Sequence, residues 1–493
     1  MMDVLQNFLY PLSPVLAMMG GGTLLIGVEC FTSSRFKELK FWLALIGAMA
    51  ALTFTLLLWK TWPSFFPLGS SEGGVWLLEF NRMYHLDNTS LGFFAAISVF
   101  TSLSLVFLGA EFYRSDILAE IFALTLFIAS GMMILVSADS LLMVFLGLEL
   151  LSLPTYVLVG LRRHDRNSCE AALKYFLFGS FATVLLVFGI ALLYAQFGTL
   201  NIPRLTALIA ELSASPSFDS KLLIAGLSLI LIAIGFKVGL VPFHMWIPDV
   251  YQGAPAAVTG FMGSAVKLAG FGLTIRLFCG MFLPVAEKWT DVLSLLAMAT
   301  MLVGNLAALA QDNLKRLFAY SSISHAGFLM LGIVVLPQSP ATLNAIYYYL
   351  VVYGLMFLGL FAILAMLERS AKNTDIFQLS GMGFTHPLLS LCLAIFSLSA
   401  AGIPPTAGFF AKYFVFIEAV RAGRIGLVIL ALLASLIGVY YYLRVIVYLY
   451  MKENREVLRL GLGRQRLVYV CILLCALSLL FFAVSPEVLR LIS

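Results

Sequence analysis

The residues of this 493-residue chain that could do chemistry are basic groups inside long apolar stretches. Lys237, Lys267 and Lys412 lie deep in such stretches, although charged residues make up only 11% of the sequence. Ionisable groups are expensive at bilayer depth, so their presence there indicates a function. A lysine that has lost its hydration releases its proton more easily. The three lysines therefore predict a pathway for protons.

Two further titratable residues lie near the centre of apolar stretches, Glu149 in VFLGLELLSLP and His325 in KRLFAYSSISHAGFLM. A buried carboxylate must be neutral or paired, and the deep lysines are the available partners of Glu149. His325 titrates near neutral pH and could relay protons. A histidine that only packs, with both ring nitrogens hydrogen-bonded, fits the sequence as well.

Two helices that carry these lysines are predicted to be broken by proline. Lys237 precedes Pro242 by five residues, and Lys412 follows Pro404 and Pro405 by eight and seven residues. Proline lacks the amide hydrogen and clashes with the preceding helical turn. Broken helices that carry polar groups are typical of the central pathway of a transporter.

Other charged residues allow more than one interpretation. Lys174 lies near a helix end, where it could reach the membrane surface or take part in the pathway. Arg276 and Arg444 also lie near helix ends and are interpreted as structural. His244 and Asp249 flank the first break, where they could cap freed backbone groups or lie on the path; the sequence leaves both open.

These residues must be positioned by transmembrane helices, because 61% of the chain is hydrophobic. Soluble proteins carry about 25% charged residues, so a soluble globular enzyme is excluded, as are disordered, collagen-like and disulfide-rich proteins. One span needs about 20 apolar residues. Fourteen spans are predicted, so the fold class is an all-α polytopic membrane protein. The spans lie at 11–30, 41–60, 88–109, 117–136, 140–160, 169–195, 221–247, 255–280, 290–310, 316–336, 342–367, 387–420, 425–450 and 467–486.

The loops on the two sides of these spans differ in basic residues. The side opposite the termini holds sixteen Lys and Arg residues, and the side of the termini holds eight. Basic loops stay in the cytoplasm, so both termini are predicted to lie outside.

The spacing of the central residues suggests an internal repeat. From Glu149 to His325 the shift is 176 positions, and from Lys237 to Lys412 it is 175. This shift covers five spans, an odd number, so a second copy would be inverted in the membrane, although two coincidences could imitate the pattern. The predicted division is an N-terminal three-helix segment at 1–116, repeats at 117–280 and 290–450, and a C-terminal loop and last helix at 451–493.

Motifs for cofactors are missing from the sequence. It contains no P-loop, HExxH or GxGxxG motif, and its six cysteines form no CxxC. No cofactor or metal is therefore expected in this chain. Energy for uphill transport would come from an ion gradient or from partner subunits.

Four stretches resemble the antiporter-like membrane subunits of respiratory complex I: LGLELLSLP, FKVGLVPFHMWIPDVYQGAP, KRLFAYSSISHAGF and AGIPPTAGFFAKYF. The resemblance runs over nearly the whole chain and is weakest in the first span and at 62–85. WIPDVYQGAP favours the N type of bacterial NADH–quinone oxidoreductase over the M and L types. The chain is also too short for the long lateral helix of the L type.

The resemblance implies roles for individual residues. Glu149 and Lys237 would form the pair of the first half, Lys267 the central relay, and Lys412 the residue leading to the outlet, where the M type has a glutamate. Lys174 and His325 match further family positions whose roles are less defined.

The resemblance also implies partners and a location. NADH, FMN, Fe–S clusters and quinone would be bound in neighbouring subunits, with none of these in this chain. The partners would be other antiporter-like and small helical membrane subunits and the lipid bilayer, without nucleic acid. The location would be the bacterial inner membrane.

Three functions therefore stand side by side. The leading one is a proton-translocating subunit of an NADH:quinone oxidoreductase, with redox chemistry in its partners. The alternatives are a subunit of a cation/proton antiporter and a membrane scaffold that does not pump.

Overall fold

The computed structural model describes residues 9–32, 36–65, 83–214, 221–370, 374–452 and 465–490. Regular structure in these ranges is helical, apart from isolated β-bridges such as Tyr84 with Ala138. Part of the predicted C-terminal loop and most of 62–85 fall outside them. So do six of the loop residues behind the predicted orientation, namely Arg35, Arg82, Lys372, Arg455, Arg459 and Arg464.

The described residues of the first half of the chain form nine helices, and the first break separates the last two. They are α1 (Tyr10–Phe31), α2 (Lys37–Phe65), α3 (Asn88–Glu111), α4 (Leu118–Val136), α5 (Leu141–Val159), α6 (Arg166–Phe197), α7 (Ile202–Ala214), α8 (Lys221–Val238) and α9 (Trp246–Gly253).

The second half begins with a helix interrupted by a π-helical turn, Met262–Val266, and contains the second break. Its helices are α10 (Ala256–Phe261), α11 (Lys267–Arg276), α12 (Ala286–Leu309), α13 (Leu314–Val335), α14 (Thr342–Ser370), α15 (Met382–Thr385), α16 (Pro387–Ala401), α17 (Ala407–Arg421), α18 (Ile425–Met451) and α19 (Gln465–Val484).

Thirteen helical stretches among the described residues are long and apolar enough to cross a membrane. Eleven of them coincide with a predicted span within a few residues; α3, for example, covers Asn88–Glu111 where 88–109 is predicted. The other two differ at one end: the stretch predicted at 221–247 ends at Val238, because the break comes earlier, and the stretch predicted at 290–310 begins at Leu283. The remaining predicted span, 387–420, is divided between α16 and α17. Each of these has only 15 residues, so neither reaches membrane length alone.

Both broken helices end at a glycine before the proline is reached. Gly239 and Gly402 have φ angles of +83° and +80°, a left-handed conformation that glycine adopts without a steric penalty. Three residues later come Pro242 and Pro405, each after a cis peptide bond. The proline-based prediction thus located the breaks correctly but missed the glycines that end the helices.

The two breaks correspond to each other at a shift of 163 positions, from Gly239 to Gly402. This differs from the shift of 175 between the lysines, because the lysines lie on different halves of their helices. Lys237 belongs to α8, before its break, whereas Lys412 belongs to α17, after its break.

The helices that position the central residues lie in the interior of the molecule. The stretches Ala256–Met281, Leu314–Val335 and Thr342–Ser370 are almost entirely buried. In contrast, α6 exposes large apolar side chains such as Phe176, Phe181 and Phe188. Such exposed apolar faces suit contact with lipid or with neighbouring membrane subunits.

Candidate functional site

Lys237 lies in the last turn of α8, two residues before Gly239. Its Nζ donates a hydrogen bond to Ser152 Oγ at 2.6 Å. The Nζ also lies 5.8 Å and 5.7 Å from the ring centres of Tyr156 and Tyr175. Both the aromatic faces and the C-terminal end of a helix favour a positive charge. A protonated lysine is therefore accommodated here without a direct counter-ion.

Glu149 lies on α5, one turn before Ser152, and accepts a hydrogen bond from Thr183 Oγ1 at 2.7 Å. Among the described residues it forms no direct ion pair with Lys237. The two charges interact electrostatically, and the Ser152 hydroxyl lies between their helices. The pair predicted from the sequence is therefore indirect in this conformation, because hydroxyl groups occupy the hydrogen-bonding positions of both side chains.

Lys267 begins α11 directly after the π-helical turn, a feature that is frequent at functional sites. The side chain is 4% exposed. Its Nζ donates to Ser322 Oγ at 2.7 Å and to the Ser322 carbonyl oxygen, and lies 5.0 Å from the Tyr353 ring centre. The lysine is thus held by α13 through neutral acceptors.

His325 lies one turn after Ser322 on α13 and is 3% exposed. Its Nδ1 is 2.8 Å from Tyr349 Oη, and its Nε2 is 3.1 Å from Tyr442 Oη. Both nitrogens are therefore hydrogen-bonded, as the packing interpretation requires. Hydroxyl groups can also pass protons to and from imidazole, so the relay interpretation stays open.

Lys412 lies on α17 and is 6% exposed. Its Nζ donates to the carbonyl oxygens of Ala400 and Ala401 at 3.2 Å and 2.9 Å, and to Ser435 Oγ at 2.9 Å. The two carbonyls end α16, where the break leaves them without helical partners. The lysine therefore caps the first half of its broken helix from across the break.

These three lysines share one property. Within the described part of the chain, none of them forms an ion pair with a carboxylate, and all three donate to serine hydroxyls. Lys237 lies at the C-terminal end of α8, and the Lys412 Nζ contacts the C-terminal end of α16; the helix dipole is negative at both ends. No counter-ion fixes their protons, so the arrangement suits groups that gain and lose a proton.

The face of α13 connects the second and third lysines. Ser322, His325 and Phe328 follow one another at three-residue steps; Ser322 binds Lys267, and the Phe328 ring centre lies 5.1 Å from Lys412 Nζ. His325 lies between them and interacts electrostatically with both lysines.

Aromatic rings lie between Lys237 and Lys267. Tyr175, beside Lys237, stacks on Trp246 at 4.5 Å between ring centres, and Trp246 contacts Tyr251 at 6.2 Å. Direct hydrogen bonds between described side chains do not connect Lys237 with Lys267. Proton transfer across this part requires water molecules between the rings.

Lys174 and Asp249 form part of a separate ionic group. Asp249 accepts hydrogen bonds from Lys174 Nζ and from Arg316 Nη1, each at 2.7 Å, and Lys174 also pairs with Glu170 at 2.8 Å. The group joins α6, α9 and α13 next to the start of α10. Lys174 differs from the three deep lysines because two carboxylates hold it.

The remaining predicted residues lie at the breaks and near helix ends. His244 is half-buried in the turn before α9, and its carbonyl accepts a hydrogen bond from Ile247 N–H at 2.9 Å. Arg276 Nη2 pairs with Asp87 at 3.6 Å, and Arg444 with Asp312, which agrees with structural roles for both arginines.

The sequence analysis missed a group of four charged residues, called here the charged cluster: Glu111, Arg162, Lys315 and Glu368. Arg162 Nη2 lies 2.7 Å from Glu111 and 2.8 Å from Glu368, and Lys315 lies 2.9 Å from Glu368. Glu111 and Lys315 are 6% and 1% exposed. The only signal in the sequence was that both carboxylates end an apolar stretch.

The charged cluster holds the N-terminus of the helix that leads to Lys267. Ala256 N–H donates to Glu368 at 3.1 Å, and Ala257 N–H donates to Glu111 at 2.9 Å. Carboxylates at a helix N-terminus are favourable because the helix dipole is positive there. Burial lowers the pKa of Arg162, but its hydrogen bond and attraction to Glu368 and its attraction to Glu111 raise the pKa above the ordinary value. Arg162 therefore keeps its positive charge.

Among the described residues, no group of three or more His, Cys, Asp or Glu side chains is arranged so that it could hold a metal ion.

Comparison with known proteins gives this architecture a family. The family model described as "NADH:quinone oxidoreductase/Mrp antiporter, TM" matches residues 138–438. The NADH-quinone oxidoreductase subunit N of Trichlorobacter lovleyi is 38% identical over 90% of this chain and 87% of its own length. The subunit N of Bdellovibrio bacteriovorus is 42% identical over 75% of this chain and 76% of its own length. The chain belongs to the family of NADH-quinone oxidoreductase subunit N.

Solved structures share the fold. A chain of respiratory complex I from Thermus thermophilus with bound aureothin has a TM-score of 0.79 and 32% identity, covering 97% of this chain and 99% of that chain. A chain of the Mrp complex from Dietzia sp. has a TM-score of 0.78 at 21% identity, covering 98% and 95%, which is a likeness of fold alone. The family resemblance and the all-helical membrane fold predicted from the sequence are confirmed.

Proposed function

We propose that this chain is a proton-translocating membrane subunit of an NADH:quinone oxidoreductase, in which Glu149, Lys237, Lys267 and Lys412 form the proton pathway. The observation that carries the proposal is the set of three lysines held by hydroxyls and carbonyls instead of carboxylates. Two of them stand at breaks in membrane helices, as in transporters whose substrate site lies between half-helices.

The physical basis is electrostatic control of the lysines by Glu149. At an effective dielectric constant near 20, opposite charges attract by about 4 kcal/mol at 4 Å and about 2.4 kcal/mol at 7 Å. A movement of Glu149 relative to Lys237 would change this attraction by more than 1 kcal/mol, which corresponds to about a tenfold change in proton affinity. The proton would then pass towards Lys267 and His325, and from there to Lys412.

The setting of the pathway belongs to the same proposal. The chain lies in the bacterial inner membrane among other membrane subunits of the complex, with both termini on the outer side. NADH oxidation and quinone reduction, with FMN and Fe–S clusters, take place in partner subunits and drive the proton movement. Residues 117–280 and 290–450 form two inverted repeats, preceded by 1–116 and followed by 451–493.

The proposal is tested in membrane vesicles that carry the assembled complex, by following NADH-driven quinone reduction and proton uptake together. Lys237→Ala and Glu149→Ala are compared with wild type and with Lys452→Ala, which removes an exposed lysine as a control. Loss of a positioned proton-transfer group is expected to slow coupled turnover about 100-fold. Assembly is monitored by purification of the intact complex.

Two results contradict the proposal. If Lys237→Ala and Glu149→Ala assemble and keep both rates near those of Lys452→Ala, the chain acts as a scaffold. If the chain purifies with a complex that lacks Fe–S clusters and exchanges Na⁺ or K⁺ for protons, it belongs to a cation/proton antiporter. The description of the matching family model names both NADH:quinone oxidoreductase and the Mrp antiporter, and this second outcome is tested for that reason.

Lys237→Arg sharpens the test. Arginine keeps the positive charge but does not release its proton at physiological pH. Loss of pumping in Lys237→Arg as well as in Lys237→Ala would indicate that proton release, and not the charge alone, is required.

A further inference from the structure

A cavity of about 360 Å³ lies beside α14 and α17, near the turn that contains Pro486 and Leu489. The cavity is at the end of the molecule where the C-terminal residues lie, and Tyr413 and Arg421 at its edge are exposed. Its volume is sufficient for several water molecules. No residue of the pathway proposed above lines this cavity.

A buried carboxylate lines the cavity. Glu418 is 7% exposed, and its oxygens accept hydrogen bonds from Ser339 Oγ and Arg421 Nη1, each at 2.6 Å. Arg421 keeps 67% of its side chain exposed, and such ion pairs are weak because water screens them. Glu418 can therefore lose its negative charge without leaving a buried cation unpaired.

A second polar group in the same cavity points to water. The Asn344 side-chain oxygen is buried and has no hydrogen-bond partner among the described residues. Buried polar atoms of this kind are normally satisfied by ordered water when space allows. Glu418 and Asn344 thus mark the cavity as a place where water meets a titratable group.

Lys412 lies on the same helix as Glu418, six residues earlier, or about 9 Å along the axis. Apolar side chains fill the space between them. Val415 is fully buried, and the ring centres of Phe416 and Phe328 are 5.9 Å apart, with Phe328 also against Lys412. Protons cannot cross this apolar block unless it opens to water.

We propose that Glu418 is the proton acceptor at the outlet beyond Lys412, and that the Phe328–Phe416 pair is the barrier between them. The inference rests on the proposed function and extends it by one residue. When the barrier admits water, the Lys412 ammonium loses an N–H proton to water, and water gives a proton to the Glu418 carboxylate. Glu418 then releases this proton to the water of the cavity, and the net charge is conserved at each step.

The test uses the assembled complex in membrane vesicles, where NADH-driven quinone reduction and proton uptake are followed together. Glu418→Gln keeps the shape of the side chain but cannot take up a proton, and is expected to lower turnover about tenfold or more. Glu418→Asp is expected to restore most of the rate. The control is Asp291→Asn, which removes an exposed carboxylate paired with Arg424 at 3.3 Å and is expected to leave the rate unchanged.

Chemical rescue distinguishes proton transfer by Glu418 from a purely structural role of this side chain. Glu418→Ala leaves room in an open cavity, so formate added to the vesicles is expected to restore turnover by acting as the missing acid. A side chain that only anchors α17 through Ser339 and Arg421 would not be replaced by a free acid. Lack of rescue by formate, together with a rate of Glu418→Gln near that of wild type, overturns the inference in favour of a structural role, because the glutamine oxygen can still accept the hydrogen bond from Ser339.

The outcomes also separate this inference from the proposed function. If Lys237→Ala and Lys412→Ala abolish pumping while Glu418→Gln pumps like wild type, the outlet lies elsewhere and the pathway stands. If Lys237→Ala and Lys412→Ala both pump normally, the pathway itself is wrong, and the role of Glu418 fails with it.

Discussion

The charged cluster and the three deep lysines place positive charges inside the same protein but give them different partners. In the charged cluster, Arg162 and Lys315 each contact Glu368 within 3 Å. Two backbone N–H groups also donate hydrogen bonds, one to Glu368 and one to Glu111. Lys267 and Lys412 are more deeply buried than Arg162, yet their partners are hydroxyl and carbonyl oxygens.

The difference teaches how the two regions divide their tasks. A buried ion pair with complete hydrogen bonding is costly to break, because removal of one partner leaves the other charge unpaired. The charged cluster therefore fixes α3, α10, α13 and α14 against one another. A lysine without a counter-ion loses less electrostatic stabilisation when it becomes neutral, so the three deep lysines are free to change protonation.

The largest effect is expected in the charged cluster. Glu368→Gln leaves Arg162 and Lys315 with only Glu111 for compensation, and breaking a buried pair costs roughly 3–5 kcal/mol. We expect poor assembly and a clear loss of thermal stability in the purified complex, measured by size-exclusion chromatography after heating. Asp116→Asn is the control, because Asp116 is 85% exposed and its pair with Lys37 at 3.7 Å contributes little. Equal stability of the two variants would remove the distinction between the regions.

The next-largest effect is expected when the same substitution, lysine to methionine, is made once in each of the two regions. Lys267→Met removes a charge that has no carboxylate partner among the described residues, so thermal stability should be kept or raised while coupled turnover falls about 100-fold. Lys315→Met removes a charge from the charged cluster and should lower stability instead. Turnover and thermal stability of both variants are measured on the same preparations. A loss of stability in Lys267→Met as large as that in Lys315→Met would show that Lys267 is structural.

Much of the contrast between the charged cluster and the three deep lysines could not be predicted from the sequence. The spans and the approximate positions of both breaks follow from apolar length and proline, which are local properties. The charged cluster joins residues 51 to 206 positions apart, such as Arg162 with Glu111 and with Glu368. Each of its members looks like an ordinary residue at a span end, so only the packing of the helices reveals it.

The residue types of the candidate site were predicted from the sequence, but the contacts between these residues were not. Lys237 and Glu149 were recognised because charge is rare inside apolar spans. The partners of the lysines are Ser152, Ser322 and Ser435, and serine is common in membrane helices. Nothing in hydrophobic spacing separates a serine that binds a lysine from one that binds its own backbone.

A smaller effect is expected at His325, whose two interpretations differ in their consequences. As a relay between Lys267 and Lys412, His325→Gln should lower coupled turnover about tenfold, equivalent to 1.4 kcal/mol. Tyr349→Phe removes the hydrogen bond to Nδ1 and leaves the imidazole in place, so it serves as the packing control. Vesicle assays of both variants at several pH values are the measurement. Equal, pH-independent losses in the two variants would favour packing alone.

The smallest effect is expected at Ser152, whose hydroxyl binds Lys237 and which lies one turn after Glu149 on α5. Ser152→Ala removes one neutral acceptor from Lys237, and a hydrogen bond of this kind contributes about 0.5–1.5 kcal/mol. Coupled turnover should fall about fivefold, the change that corresponds to the middle of this range, and Ser152→Thr, which keeps the hydroxyl, should remain near wild type. If Glu149 acts on Lys237 through this hydroxyl, the double variant Ser152→Ala, Glu149→Gln should be no slower than Glu149→Gln alone. Fully additive losses would instead indicate that Glu149 reaches Lys237 by another route, such as a movement of α5 that brings the two charges into direct contact.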